Sequence, residues 1–175
     1  IPDQNTEFLE LKAGTIDMMA LTPLQYLRQT ETAEFKKMYA KYKYLSDGYT
    51  YLGFNLKKKP FDDILVRQAV AHALDKEEII KGVLMGLGEV ATGPYKPGTM
   101  WYNDDVPQYP HDPDRARRLL MDAGFLDRDG DGVVEKDGRP LILNIITNQG
   151  NPLREKTAQI IQQRLKAVGI EVKIR

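Results

Sequence analysis

The stretch "LILNIITNQGNPLREKTAQIIQQRLKAVGIEVKIR", Leu141 to Arg175, decides the fold. Leu141, Leu143, Ile145 and Thr147 alternate along one face, with the period of two that a strand requires. In "NPLREKTAQIIQQRLKAVG", Leu153, Thr157, Ile160, Ile161, Leu165 and Val168 fall on one helical stripe, and Gly169 can close the helix in left-handed backbone. "IEVKIR" alternates again. Strand, helix, strand in that order predicts a βαβ unit with its two strands parallel in one sheet. The expected fold class is α/β.

The segments upstream supply layers for that unit. "DRDGDGVVEKDGRP" reads as a turn, a short strand and a second turn at Lys136-Asp137-Gly138 leading into the Leu141 strand. Asp112-Pro113 is a cap followed by proline at the first helical position, and Ala116, Leu119, Leu120 and Ala123 then face inward until Gly124. "KKKPFDDILVRQAVAHALDKEEIIKGVLMG", Lys57 to Gly86, holds two abutting helices. Asp62 is the expected cap of the first, with Phe61 and Val66 at the spacing of a hydrophobic staple. Asp75 with Glu78 is a capping-box variant that starts the second.

The first third of the chain is less regular. Thr6 is the expected cap of a short helix carrying Phe8, Leu9 and Leu11 and ended by Gly14, after which Ile16, Met18 and Ala20 alternate as a strand would. Thr22-Pro23 opens another helix, and Phe35 to Tyr39 add one more turn. Tyr42, Tyr44, Tyr49, Tyr51, Phe54 and Leu56 are strand formers around a Ser46-Asp47-Gly48 turn, which predicts a hairpin or bent strand.

Composition narrows the function classes. Among 175 residues, 25 Lys and Arg balance 25 Asp and Glu, which argues against nucleic acid or an anionic membrane surface as the main partner. The absence of cysteine removes disulfides, thiol nucleophiles and thiolate metal sites. No apolar run approaches the ~20 residues that span a bilayer. Ile1-Pro2-Asp3 opens the chain without an initiator Met, which reads as a processed or excised piece.

No nucleophile constellation is visible. The two histidines are His72, expected at a helix surface or core edge, and His111, in a turn. An enzyme acting on sugars or peptides therefore lacks an identifiable acid-base pair. In "DRDGDGVVEKDG", Asp127, Asp129, Asp131 and Glu135 match part of a calcium loop, yet the twelfth position, where a bidentate glutamate belongs, is Gly138. Two tight turns around a hairpin explain the same Asp-Gly dipeptides. Calcium is accordingly the one candidate cofactor, and a calcium-stabilised interaction or structural domain without a small-molecule cleft is the alternative function.

"EVATGPYKPGTMWYNDDVPQYPHDP" is a long proline-rich segment, and loops of such length inside compact domains are often functional. Tyr95, Met100, Trp101 and Tyr102 lie in it, off any periodic face. Local packing under the loop is one reading. Lining a ligand cleft is the other, since aromatic walls suit pockets that accept varied side chains.

"YLGFNLKKKPFDDILVRQAVAHALDKEEIIKGVLMGLGEVATGPYKP", "YPHDPDRARRLLMDAGFLDRDGDGVVEKDGRPLILNIIT" and "AQIIQQRLKAVGIEVKI" together resemble successive blocks of the family 5 extracellular solute-binding proteins. The most specific part is Pro60-Phe61-Asp62-Asp63 with Val66-Arg67-Gln68-Ala69. The resemblance implies part of a bilobed type II periplasmic-binding-protein fold, mostly the larger C-terminal lobe with a mixed sheet flanked by helices. Residues 1–48 would be the tail of the first lobe and 49–175 a partial second lobe, from a receptor about three times this length. It further implies the receptor of an ABC importer: a monomer, periplasmic or extracellular and lipid-anchored in Gram-positive organisms, that carries peptides or another small solute to a membrane permease. In some dipeptide receptors of the family an arginine after the strand equivalent to Leu141–Thr147 holds the ligand carboxylate. Here that place falls near Asn148, which cannot form a charge-assisted bidentate pair. Backbone N–H groups of Gln149, Gly150 and Asn151, opening the next helix, would meet an anionic or polar ligand group instead.

Overall fold

The structure is a computed structural model that describes residues 3–175. The chain divides between Leu45 and Ser46 into two compact units. In the first, helix α1 spans Gln4–Ala13 and helix α2 Ala33–Met38, with a π-helical segment Gln25–Gln29 between them. Phe8, Leu11 and Phe35 form its small core, and Tyr39 stacks at 5.0 Å from Phe35 while donating its hydroxyl to Leu11 O. The cap of α1 is Asp3, which accepts from Thr6 N–H, where Thr6 itself was expected. Carboxylate against orphan N–H is the stronger pairing, and Thr6 adds its own hydroxyl to the same oxygen at 2.9 Å. Thr22 and Gln25 cap each other reciprocally, each side chain accepting from the other's N–H.

Two expected strands are not formed. Ile16 to Ala20 and Tyr42 to Leu56 run without ladder bonds, and Tyr42, Tyr44 and Tyr51 are exposed. A strand's hydrogen bonds need a partner strand, and among the described residues none pairs with these segments. Leu52 and Phe54 nonetheless turn inward onto the core of the second unit, as alternate residues of an extended chain do.

That second unit is built on helices α3 (Ile64–Ala73), α4 (Lys76–Val83), α5 (Pro113–Asp122) and α6 (Pro152–Lys166). Strands β3 (Ile142–Ile145) and β4 (Glu171–Ile174) pair in parallel across α6, with Leu143 opposite Val172, so the predicted βαβ unit is present. Strands β1 (Glu135–Lys136) and β2 (Arg139–Pro140) make a separate antiparallel hairpin. Strand pairing among the described residues thus consists of two two-stranded sheets and one antiparallel bridge, Leu126 with Glu135.

The core joins these layers. Val66, Ala69 and Val70 of α3, Ala116 and Leu120 of α5, Leu165 of α6 and Ile170 before β4 are all at most 1% exposed. Small side chains at Ala69, Ala73 and Ala116 let α3 lie close along α5. Each fully buried Leu, Ile or Val there contributes roughly 2 kcal/mol of transfer free energy. Caps hold the helices at fixed starting points: Asp75 accepts from Glu78 N–H, Asp112 from Arg115 N–H and Asn151 from Arg154 N–H. The cap of α3 is Asp63 rather than Asp62, because Arg67 binds the carbonyls of Phe61 and Asp62 and folds that approach one residue later. Phe61 packs on Phe54, 4.9 Å away, and against the core cluster that contains Val66.

Candidate ligand-binding loops

Two stretches of the second unit carry the residues expected at a ligand site. The first is the irregular segment 87–112 between α4 and α5. Within it Thr99 N–H and hydroxyl both bond Lys96 O, and Tyr102 N–H bonds Thr99 O, which makes two successive turns. These turns lift Tyr95, Met100 and Trp101 into solvent at 54%, 86% and 65% exposure, with Tyr102 half-buried. No side chain of 87–112 belongs to the core of the unit. Large apolar side chains as exposed as Tyr95, Met100 and Trp101 are not explained by packing within these residues.

The second stretch joins β3 to α6. Gly150 takes φ +76, the left-handed backbone that turns the chain into the helix, and Asn151 caps the first turn. Asn148 lies just ahead, its amide donating to Gln149 O at 3.3 Å and its Oδ1 accepting from Arg154 Nη1 at 2.7 Å. Arg154 was not singled out from the sequence. Its position three residues past the cap, on the exposed side of the first turn, is the signal that could have found it, because side chains there lean back toward the helix start.

The structure therefore brings Asn148, Gln149, Gly150 and Asn151 together around one helix start, and Tyr95, Met100, Trp101 and Tyr102 together on one loop. Among the described residues no hydrogen bond or ring contact joins the two groups. A cavity of about 360 Å³ lies elsewhere, between the ends of α5 and α6 and Val134.

The acidic loop behaves as a turn network. Asp127 accepts from Gly130 and Gly132 N–H at 2.8 and 3.0 Å, Asp129 from Asp131 N–H, Asp131 from Val133 N–H, and Glu135 from Arg128 N–H. Asp127, Asp129 and Glu135 still bring one oxygen each within 4.8 Å of one another, and Asp131 stands outside that group.

Helices layered on a parallel βαβ pair, with an apolar loop held out from the core, describe a scaffold that presents a surface. The chain belongs to the bacterial extracellular solute-binding proteins, family 5, whose middle region matches residues 1–175. It is 39% identical over 178 residues to the oligopeptide-binding protein AppA of Bacillus subtilis, a match covering 99% of this chain and 32% of that protein. The structure of AppA in complex with a nonapeptide superposes with a TM-score of 0.86 at 37% identity, over 100% of this chain and 34% of that one. NikZ from Campylobacter jejuni in complex with Ni(L-His) gives 0.87 at 32% identity, again over 100% of this chain and 34% of that one. The chain spans about a third of the length of the relatives it matches.

Proposed function

We propose that this chain is part of the solute receptor of a bacterial ABC importer, a monomer outside the cytoplasmic membrane, and that it supplies one wall of a peptide site. The observation that carries the reading is the exposed run Tyr95, Met100 and Trp101 on a loop outside the core. Flat rings and a flexible thioether fit many side chains at little entropic cost, which suits a receptor that takes varied peptides. The nonapeptide bound to AppA supports peptides over other solutes, and Ni(L-His) on NikZ marks the competing cargo. At the start of α6, N–H groups of Gln149, Gly150 and Asn151 would meet a polar or anionic group of the ligand, with Arg154 adding a guanidinium in a place where Asn148 cannot.

The work is capture, not chemistry. A solute that binds the closed receptor better than the open one shifts the population toward the closed form, which the permease then recognises. Lipid anchoring, in a Gram-positive source, would keep the receptor near that permease. Calorimetry of the intact receptor with a mixed peptide library tests the reading through Trp101→Ala. Loss of affinity at least tenfold is expected, and unchanged affinity would exclude Trp101 from the site.

A second reading, a calcium-stabilised loop, is favoured by the convergence of Asp127, Asp129 and Glu135. It predicts that melting temperature rises with calcium and falls with chelator, whereas capture of peptide requires no metal.

A further inference from the structure

Both histidines of the chain hold the downstream end of the aromatic loop. His72, on the last turn of α3, is only 5% exposed, and its Nδ1 lies 2.8 Å from Pro110 O. Asp112 N–H returns a bond to His72 O at 2.8 Å, and the Tyr109 ring meets the imidazole edge-on at 5.5 Å. His111 Nδ1 stands 3.7 Å from Asp75 Oδ2 at the start of α4, and Lys76 Nζ reaches Tyr109 O at 3.4 Å. Upstream, Leu87 N–H bonds Leu84 O at 2.9 Å where the loop leaves α4, and beyond that point the polar tie to the rest of the unit is the Lys96–Asp47 pair at 3.4 Å, with Asp47 in solvent. A solvated pair of that kind contributes little, so the loop is held chiefly at 109–112.

We infer that His72 is a positioning residue: through Nδ1 it fixes where the loop leaves the corner between α3 and α4, and so where Trp101 is presented. A carbonyl oxygen only accepts, so the Pro110 contact requires a hydrogen on Nδ1. An apolar side chain at 72 would fill the buried space and leave Pro110 O without this donor. Asparagine would keep it, because its amide nitrogen stands where Nδ1 does. The geometry is independent of cargo; its functional meaning rests on the loop being a ligand wall.

The test uses the 175-residue chain with His72→Leu and His72→Asn. Trp101, the single tryptophan, reports loop motion by fluorescence anisotropy, and amide exchange by NMR reports Asp112. In His72→Leu, Asp112 should exchange about tenfold faster and Trp101 anisotropy should fall. In His72→Asn both should stay near wild type. A His72→Leu chain that matches wild type, or a His72→Asn chain as loose as His72→Leu, overturns the inference. Nitrogen chemical shifts of His72 in the unaltered chain decide it without any variant: hydrogen on Nδ1 supports it, and hydrogen on Nε2 alone overturns it. The peptide reading fails separately, through unchanged affinity in Trp101→Ala.

Discussion

Arg164 of α6 grips Glu78 of α4 with two bonds, Nε to Oε2 and Nη2 to Oε1, both 2.6 Å. The two residues are 86 apart in sequence, so the pair fastens the α3–α4 block to the βαβ unit. It also takes over the glutamate that the capping-box pattern assigned to the start of its own helix. The Arg164 bonds hold the Glu78 carboxyl below its ordinary value of 4.5.

Replacing Arg164 with methionine should lower stability by about 1 kcal/mol at neutral pH, the side chains being about a third exposed. A carboxyl whose folded value is depressed stabilises fully above its unfolded value and loses that contribution as pH falls through the folded one. Urea unfolding of both proteins should therefore show a gap at pH 7 that closes below pH 4.5. A gap of constant size down to pH 3 would contradict the pairing.

Gly169 combines φ +87 with a close approach, since a Cβ there would sit 2.7 Å from Val134 Cγ1. Its carbonyl also accepts Val134 N–H at 2.8 Å, tying the helix end to the hairpin. Gly169→Ala should cost about 2–3 kcal/mol, the sum of backbone strain and overpacking. Gly130→Ala, at φ +80 in open space, should cost only about 1 kcal/mol. Equal losses in denaturant melts would mean that Val134 simply moves aside.

Asp127 accepts two backbone N–H groups and Asp129 one. In chelator, Asp127→Ala should cost about 1–2 kcal/mol and Asp129→Ala about half that. If both variants match the parent in chelator and fall behind only when calcium is added, the loop is organised by the ion and not by its own turns.

Trp101→Ala should leave stability within about 0.5 kcal/mol of the parent, because the ring is mostly in solvent and outside the core. A larger loss by thermal melting would return Trp101 to a packing role and weaken its assignment to the ligand wall.

What the sequence made legible was local chemistry. Caps at Asp75 and Asp112 follow from one side chain meeting one nearby N–H, and the βαβ unit follows from two periods and a glycine. Asp62 and Asp63 could each cap, and only the reach of Arg67 to two carbonyls separates them. Strand character in Tyr42 to Leu56 is a property of side chains, whereas a ladder depends on a neighbour that these residues do not contain. The proline-rich loop was recognisable as irregular and aromatic, but not that its rings stand clear of the core. The burial of His72 was hidden because its partner, Pro110 O, lies 38 residues away and is backbone, which no residue pattern marks.

The parallel pair of β3 and β4 has a consequence for handling the chain. Among the described residues each strand is paired on one side only, so apart from Val172 O, which accepts from Gln162 Nε2 at 2.7 Å, the outer rows of N–H and C=O are templates beside the 82% exposed Ile146. Concentrating the chain should therefore favour edge-to-edge self-pairing. A short peptide with strand-forming residues, added in excess, would compete for those rows and keep the chain dispersed.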